Sequence, residues 1–270
     1  MKAATLIGIV LAIVGLLGGA VMEGTSPAAF LNLPAAIVVL LGTLGAVLAS
    51  NGMESVKRIP ALYKRAFSAE PASLGARVGD LVRYADRARR DGLLALEEEL
   101  DGIDDDFLRK GLQLVVDGTD PDLVREILEA EIEGMTARHR HAVMPFEKAG
   151  GFAPTMGIIG TVMGLVNVLS HLDKPDELGK SIATAFIATL YGVLSANVFW
   201  LPIGQRLKQR NKEEVARRLL AVEGVLAVQA GDNPRVVREK LEAFLPLALR
   251  GEEPAADEAA AGAAPQAAAA

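Results

Sequence analysis

Four stretches of this chain are apolar almost without interruption: Thr5–Met22 (TLIGIVLAIVGLLGGAVM), Leu33–Ser50 (LPAAIVVLLGTLGAVLAS), Phe152–Leu172 (FAPTMGIIGTVMGLVNVLSHL) and Ser181–Ile203. Crossing the hydrocarbon core takes roughly 20 mostly apolar residues in a helix, and the first stretch at about 1.5 Å per residue reaches roughly 27 Å. Each stretch therefore predicts a transmembrane helix. The first also has the marks of a signal peptide, with Lys2 as a basic start and Leu17-Gly18-Gly19-Ala20 as a small-residue cleavage site. A second apolar stretch follows after ten residues, which makes a membrane hairpin the simpler reading.

Between and after the hairpins the pattern changes to amphipathic helix. VGDLVRYADRARR places Val78, Leu81, Val82 and Ala85 at helical spacing, and DLVREILEAEIEGM does so with Leu123, Ile127 and Leu128. Asp120-Pro121 is a helix start, an aspartate cap followed by proline at the first helical position. NKEEVARRLLAVEGVLAVQAG and NPRVVREKLEAFL predict two further helices after the fourth span. Residues 251–270 (GEEPAADEAAAGAAPQAAAA) lack any large apolar side chain and predict a disordered tail. The expected organisation is an all-α polytopic membrane protein: a hairpin in 1–50, a mostly helical cytoplasmic domain in 51–151, a second hairpin in 152–203, C-terminal cytoplasmic helices in 204–250, then the tail.

Lys and Arg set the orientation. Residues 23–32 hold neither, whereas Lys57, Arg58, Lys64 and Arg65 follow the second span. Arg138, Arg140 and Lys148 precede the third, and Arg206, Lys208, Arg210 and Lys212 follow the fourth. Both termini and the middle block are expected in the cytoplasm. Residues 171–180, with two lysines against three acids, contribute less to that reading.

A net charge of −6 offers no basic field to nucleic acid, and the absence of cysteine removes disulfides and thiolate chemistry. His139 and His141 alternate around Arg140 and point roughly 200° apart on a helix, which argues against a metal site. No nucleophile–base set is visible, so an enzyme is not expected. The four spans carry no Asp, Glu, Lys or Arg, the groups that mark ion paths and proton relays. Either the chain is a packing scaffold, or the titrating carboxylate arrives on another polypeptide. The deepest polar groups in spans three and four are Thr161 and Thr189, each able to satisfy its hydroxyl on a carbonyl one turn back. Gly157, Gly160 and Gly164 share a helix face, and Gly15-xxx-Gly19 marks the first span, both patterns of close helix approach. Pro154 fits either a first-turn proline or a kink; Pro202, inside a run that continues helical, predicts a kink and a hinge.

GFAPTMGIIGTVMGL and AFIATLYGVLSANVFWLP, behind a short hairpin and a large insert, resemble the MotA/PomA family of flagellar stator subunits. The fourth-span signature falls on Ala185, Phe186, Ala188, Thr189, Gly192 and Pro202, and the resemblance spans about residues 1–250, including RRDGLLALEEELDGIDDDFLRKGLQLVVDG. It implies a homopentamer in the inner membrane around a single-span MotB/PomB-type partner that carries the missing aspartate and anchors to peptidoglycan. The pair would conduct sodium or protons and turn the rotor protein FliG, with no cofactor beyond the transported ion. It implies an ion path at Thr161 and Thr189, coupling at Pro154 and Pro202, helix packing at Gly157, Gly160, Gly164 and Gly192, and rotor contact at Arg89, Arg90, Glu97 and Glu98. Without the resemblance those charges read as a solvated face. On one helix, Arg89 and Glu97 would lie two turns apart on a shared face, an arrangement that Gly92 works against. Thr161 leans towards sodium, while Ala188, where sodium-type members often carry threonine, leans the other way. The rivals are an ExbB/TolQ-type energiser, which generally has three spans, and a non-conducting scaffold.

Overall fold

The structure is a computed structural model that describes residues 2–68, 74–173, 175–247 and 250. The expected tail, 251–270, lies outside the described residues. Among them there is helix and no strand. Four helices are long and apolar enough to cross a membrane.

The helices run further than the apolar stretches. α1 is Lys2–Met22, and a 3-10 turn at Pro27–Phe30 leads into α2, Leu33–Ala66. Asn32 caps α2: its side chain accepts from Ala35 N at 3.0 Å, and Pro34 supplies a preset φ in the first turn. α2 passes beyond the end of its apolar run and is broken at Gly52 (φ 78°, ψ 165°), a backbone conformation that only glycine takes without strain. α3 is Leu74–Asp91, followed by a 3-10 turn at Leu93–Leu96, the single-turn α4 (Glu97–Leu100) and α5 (Asp106–Val116). α6, Pro121–Leu169, is 49 residues long and holds both Pro145 and Pro154 in its interior. Pro154 is therefore not a first-turn proline, and Phe152 starts no helix. α7 (Pro175–Leu194) passes through a π-helical segment, Ser195–Trp200, into α8 (Leu201–Gln229), and α9 is Pro234–Glu242.

The chain forms two compact units, one from residues 1–69 and 136–212, the other from 70–135 and 213–270. The divide falls inside α6 and α8, not where the apolar runs end. In the first unit the reason is a second core: Ile59, Val143, Phe146, Ile203 and Leu207 are buried together, with Tyr63 and Trp200 against them. Phe146 sits between the other two rings, at 5.6 Å from Tyr63 and 6.3 Å from Trp200. Tilted aromatic pairs at these separations add to the burial itself. Nearer the other end of the spans, Ala35, Val39 and Ala188 bury one another. Leu6, Val10, Ile158, Val162 and Phe186 face outward, as helices in lipid require. Gly15 and Gly19 meet nothing within 4 Å of an added Cβ, so the close approach their spacing predicts is not made within this chain.

The second unit is a water-type core. Leu81, Leu96, Leu112, Leu128, Leu220 and Leu241 are buried in one cluster. Gly224 makes room for Leu81, whose Cδ1 lies 2.4 Å from where a Cβ would stand. Here the sequence pattern needs one correction: Leu123 is exposed, and Val124, Leu128 and Ile132 form the buried stripe of the first turns of α6. That four-residue repeat is the one that keeps a single helix face against the core.

Candidate functional site

The third and fourth spans meet through small residues. On α6 these are Ala153, Gly157, Gly160 and Gly164, and on the helix opposite Ala185, Ala188 and Gly192. A Cβ on Gly157 would lie 2.9 Å from Ala188 O, one on Gly164 3.0 Å from Ala185 Cα, and one on Gly192 2.5 Å from Ala153 O. Gly160 likewise leaves no space, with Ala188 Cβ at 2.7 Å. Backbones pressed this close bring polar groups within reach across the interface.

Thr161 and Thr189 use that proximity. Their hydroxyls are directly hydrogen-bonded to each other. Thr161 Oγ1 also lies 3.1 Å from Gly157 O on its own helix and 3.0 Å from Ala185 O on the facing one, and Thr189 Oγ1 lies 3.4 Å from Gly157 O. Two hydroxyls thus share two carbonyls. The bond to a carbonyl one turn back exists for Thr161 but is not the whole account, because the two side chains form one four-oxygen cluster. Both residues are half-buried.

At one end of the bundle lies a network the sequence did not announce. Asn32 Nδ2 donates to Thr184 Oγ1 at 3.0 Å, Asn32 N donates to Tyr191 Oη at 3.1 Å, and Tyr191 Oη donates to Phe30 O. The only local signal was the Asn-Leu-Pro helix start. At the other end, Pro202 lies two residues past the end of the π segment, after Leu201. Leu201 N donates to Ala196 O, five residues back, so the ladder widens one turn before the ring that cannot donate. The expected kink site is thus a change of helix type, which apolar periodicity does not reveal.

In the second unit the four rotor-assigned residues do not share a helix. α3 ends at Asp91, Gly92 takes φ 86°, and Glu97 opens α4. The two-turn spacing of Arg89 and Glu97 is void for that reason. Arg89, Arg90, Glu97 and Glu98 are all exposed. Arg90 pairs back to Asp86, and Arg87, not singled out from the sequence, binds Glu98 and Glu99 at 2.6 Å each. Nearby, burial pushes the Asp105 carboxyl up, but Leu108 N, Phe107 N and the Arg77 guanidinium at 2.6 Å together hold it below its ordinary value. Glu131 is lowered first by its bond to Lys110 at 2.7 Å and further by Arg218. On the first unit, His139 Nδ1 and Asn211 Oδ1 are hydrogen-bonded at 2.8 Å.

Comparison with known proteins places this geometry. The model described as "Motility protein A N-terminal" matches residues 6–81, and that of the MotA/TolQ/ExbB proton channel family matches residues 99–219. Motility protein A of Bacillus subtilis (strain 168) is 38% identical over 247 residues, which is 91% of this chain and 92% of that protein. The chain belongs to the motility protein A family. Chemotaxis protein PomA of Vibrio alginolyticus is 36% identical, over 86% of this chain and 94% of that protein. Among solved structures, C. jejuni MotAB has a TM-score of 0.87 at 30% identity, covering 92% of this chain and 97% of that one. The flagellar MotAB stator complex from Bacillus subtilis has a TM-score of 0.86 at 39% identity, covering 92% and 98%. The chain is therefore an all-α polytopic membrane protein of the flagellar stator family, and the apolar stretches of its four long helices are the membrane spans. The match at residues 6–81 covers the amino-terminal hairpin, which gives this chain four spans where the ExbB/TolQ-type rival generally has three.

Proposed function

We propose that this chain is the ion-conducting and torque-generating subunit of a flagellar stator in the inner membrane, with both termini in the cytoplasm. It would assemble as a homopentamer around a MotB/PomB-type single-span partner; the solved relatives are named as MotAB, which supports a MotB-type partner. The observation that carries the reading is the Thr161–Thr189 pair: two hydroxyls and two carbonyls in contact, in spans that hold no Asp, Glu, Lys or Arg. Such spans can line an ion path but supply no carboxylate to it. A carboxylate must come from the partner, and we assign the hydroxyl pair to face it.

Four oxygens without a fixed charge suit a hard cation that sheds part of its water, which favours sodium over the proton. Pro154 and the π segment before Pro202 are the positions where spans three and four depart from a regular ladder, and we assign coupling to them. Arg89, Arg90, Glu97 and Glu98, exposed on the second unit, are assigned to FliG, with Arg87 holding Glu98 in place. Exposed charges act over only about 8 Å at physiological salt, so these work on a docked rotor and not at a distance.

The test is co-expression with the partner subunit in a stator-less strain, following swimming while sodium is varied at fixed pH. Swimming restored in proportion to sodium supports the proposal. No rescue under any ion removes the stator reading, and rescue without sodium assigns the proton.

A further inference from the structure

Between α1 and the π–α8 segment of the first unit runs a groove of about 510 Å³. Its walls come from Thr5, Gly8, Ile9 and Ala12 on one side and from Asn197, Val198, Pro202, Gln205, Arg206 and Gln209 on the other. The volume is within the range of small-ligand sites, roughly 300–1,000 Å³. The two ends differ in chemistry. Gly8, Ile9, Ala12 and Val198 make one end apolar, among residues of the membrane spans. Gln205, Arg206 and Gln209 lie past the apolar run that ends at Ile203, where a span reaches the headgroups, and they make the other end cationic and amide-rich. No lining residue is acidic.

The geometry points to an anionic phospholipid, of the phosphatidylglycerol type, seated in this groove with its phosphate on Arg206 and an acyl chain along Gly8, Ile9 and Ala12. The site rests only on the membrane embedding of the chain and not on ion conduction. A guanidinium carries five N–H donors in a planar fork that matches phosphate oxygens two at a time. A zwitterionic headgroup gains less, because no carboxylate lines the groove to receive its ammonium. Asn197 gives its side-chain N–H to Val193 O at 2.8 Å, which leaves Oδ1 to accept from a headgroup hydroxyl. The apolar wall is open because Gly8 has no side chain and nothing stands within 4 Å of where its Cβ would be. A lipid here rests on Asn197, Val198 and Pro202, the segment where the helix changes type, so occupancy stiffens the position to which coupling is assigned.

The test is native mass spectrometry of the full chain in detergent, after incubation with equal amounts of dioleoyl phosphatidylglycerol and dioleoyl phosphatidylcholine. The expected result is retention of the anionic lipid over the zwitterionic one by about fivefold, the size of one basic residue at an anionic surface. Arg206→Gln abolishes the preference. Lys208→Gln, a basic residue of the same helix outside the groove, leaves it unchanged. Gly8→Phe, whose ring enters open space, lowers retention of both lipids with Arg206 intact, and it decides the matter should Arg206→Gln fail to fold. Equal retention of the two lipids, or an unchanged preference in Arg206→Gln, overturns the proposal. So does displacement of the lipid by millimolar inorganic phosphate, which would make this a small-anion site. An oligomer that holds no lipid and comes apart in Gly8→Phe would place a second copy of the chain in the groove, and it too overturns the proposal.

Discussion

Thr161 takes the carbonyl of Ala185, and Ala185 is the residue one turn back from Thr189. The bond that would let Thr189 close on its own helix is spent across the interface, and Thr189 is turned to Thr161 and to Gly157 O instead. Each hydroxyl is positioned by the other helix.

Thr161→Ala should therefore disturb more than one residue's polarity. Interhelical hydrogen bonds in membranes average about 0.6 kcal/mol, too little to undo the fold, so the variant should reach the membrane at normal levels. Swimming in the co-expression strain should collapse, and Thr161→Ser should keep most of it. Loss of protein from the membrane fraction in Thr161→Ala would show a structural role instead of an ion-path role.

The glycine face allows a sharper contrast. A Cβ at Gly164 stands 2.6 Å from Ala185 Cβ and 3.0 Å from its Cα, whereas one at Gly151 meets nothing within 4 Å. Gly164→Ala should lower the thermal stability of the detergent-solubilised chain by about 1–3 kcal/mol, the usual cost of overpacking. Gly151→Ala should leave it unchanged or raise it by up to about 1 kcal/mol through helix propensity. Equal melting temperatures for the two variants would mean that α6 and α7 do not pack as described.

Charge reversal separates the rotor face from the fold. Arg89 and Arg90 are exposed, so Arg90→Glu should leave the melting temperature unchanged and reduce motor torque, measured by tethered-cell rotation. Arg87→Ala should also reduce torque, because Glu98 and Glu99 lose their shared partner. Normal torque in both variants would move the rotor contact to another surface.

Acid should loosen the second unit. Asp105 and Glu131 are held below their reference values of 3.8 and 4.5 by neighbouring donors and cations. A carboxylate whose folded pKa is depressed contributes stability that is present above the unfolded value and is lost as pH falls through the folded one. The melting temperature should be level at neutral pH and drop below about pH 4.5 as both groups take up protons. Glu131→Gln should be less stable at pH 7 and show a shallower decline. A profile identical to the wild type's would show that Lys110 and Arg218 do not act through that carboxylate.

Much of this architecture is legible in the order of residues, for reasons that differ along the chain. The spans are visible because lipid tolerates so few side chains: Thr5–Met22 holds no charge and a single hydroxyl. The Thr161–Thr189 contact is half visible. Gly157, Gly160 and Gly164 announce close packing, but which hydroxyl meets which carbonyl depends on the register of two helices 24 to 28 residues apart in sequence. The helix ends are less legible. Pro60, Pro145 and Pro154 look like breakers, yet each lies inside a helix, since the loss of one backbone bond is offset by packing such as that of Phe146 between Tyr63 and Trp200. The pairing of Arg87 with Glu98 escaped the sequence because a single left-handed glycine, Gly92, reorients everything after it.

The π segment Ser195–Trp200 holds its hydrogen bonds five residues apart where the helices on either side hold theirs four apart. Such a segment carries one surplus residue, a unit of slack that a regular helix lacks. Passing that residue along the backbone turns every side chain it crosses by about 100° and advances it by about 1.5 Å, without breaking the helix. In the fourth span that surplus residue is stored between Thr189 and Pro202, at Ser195–Trp200.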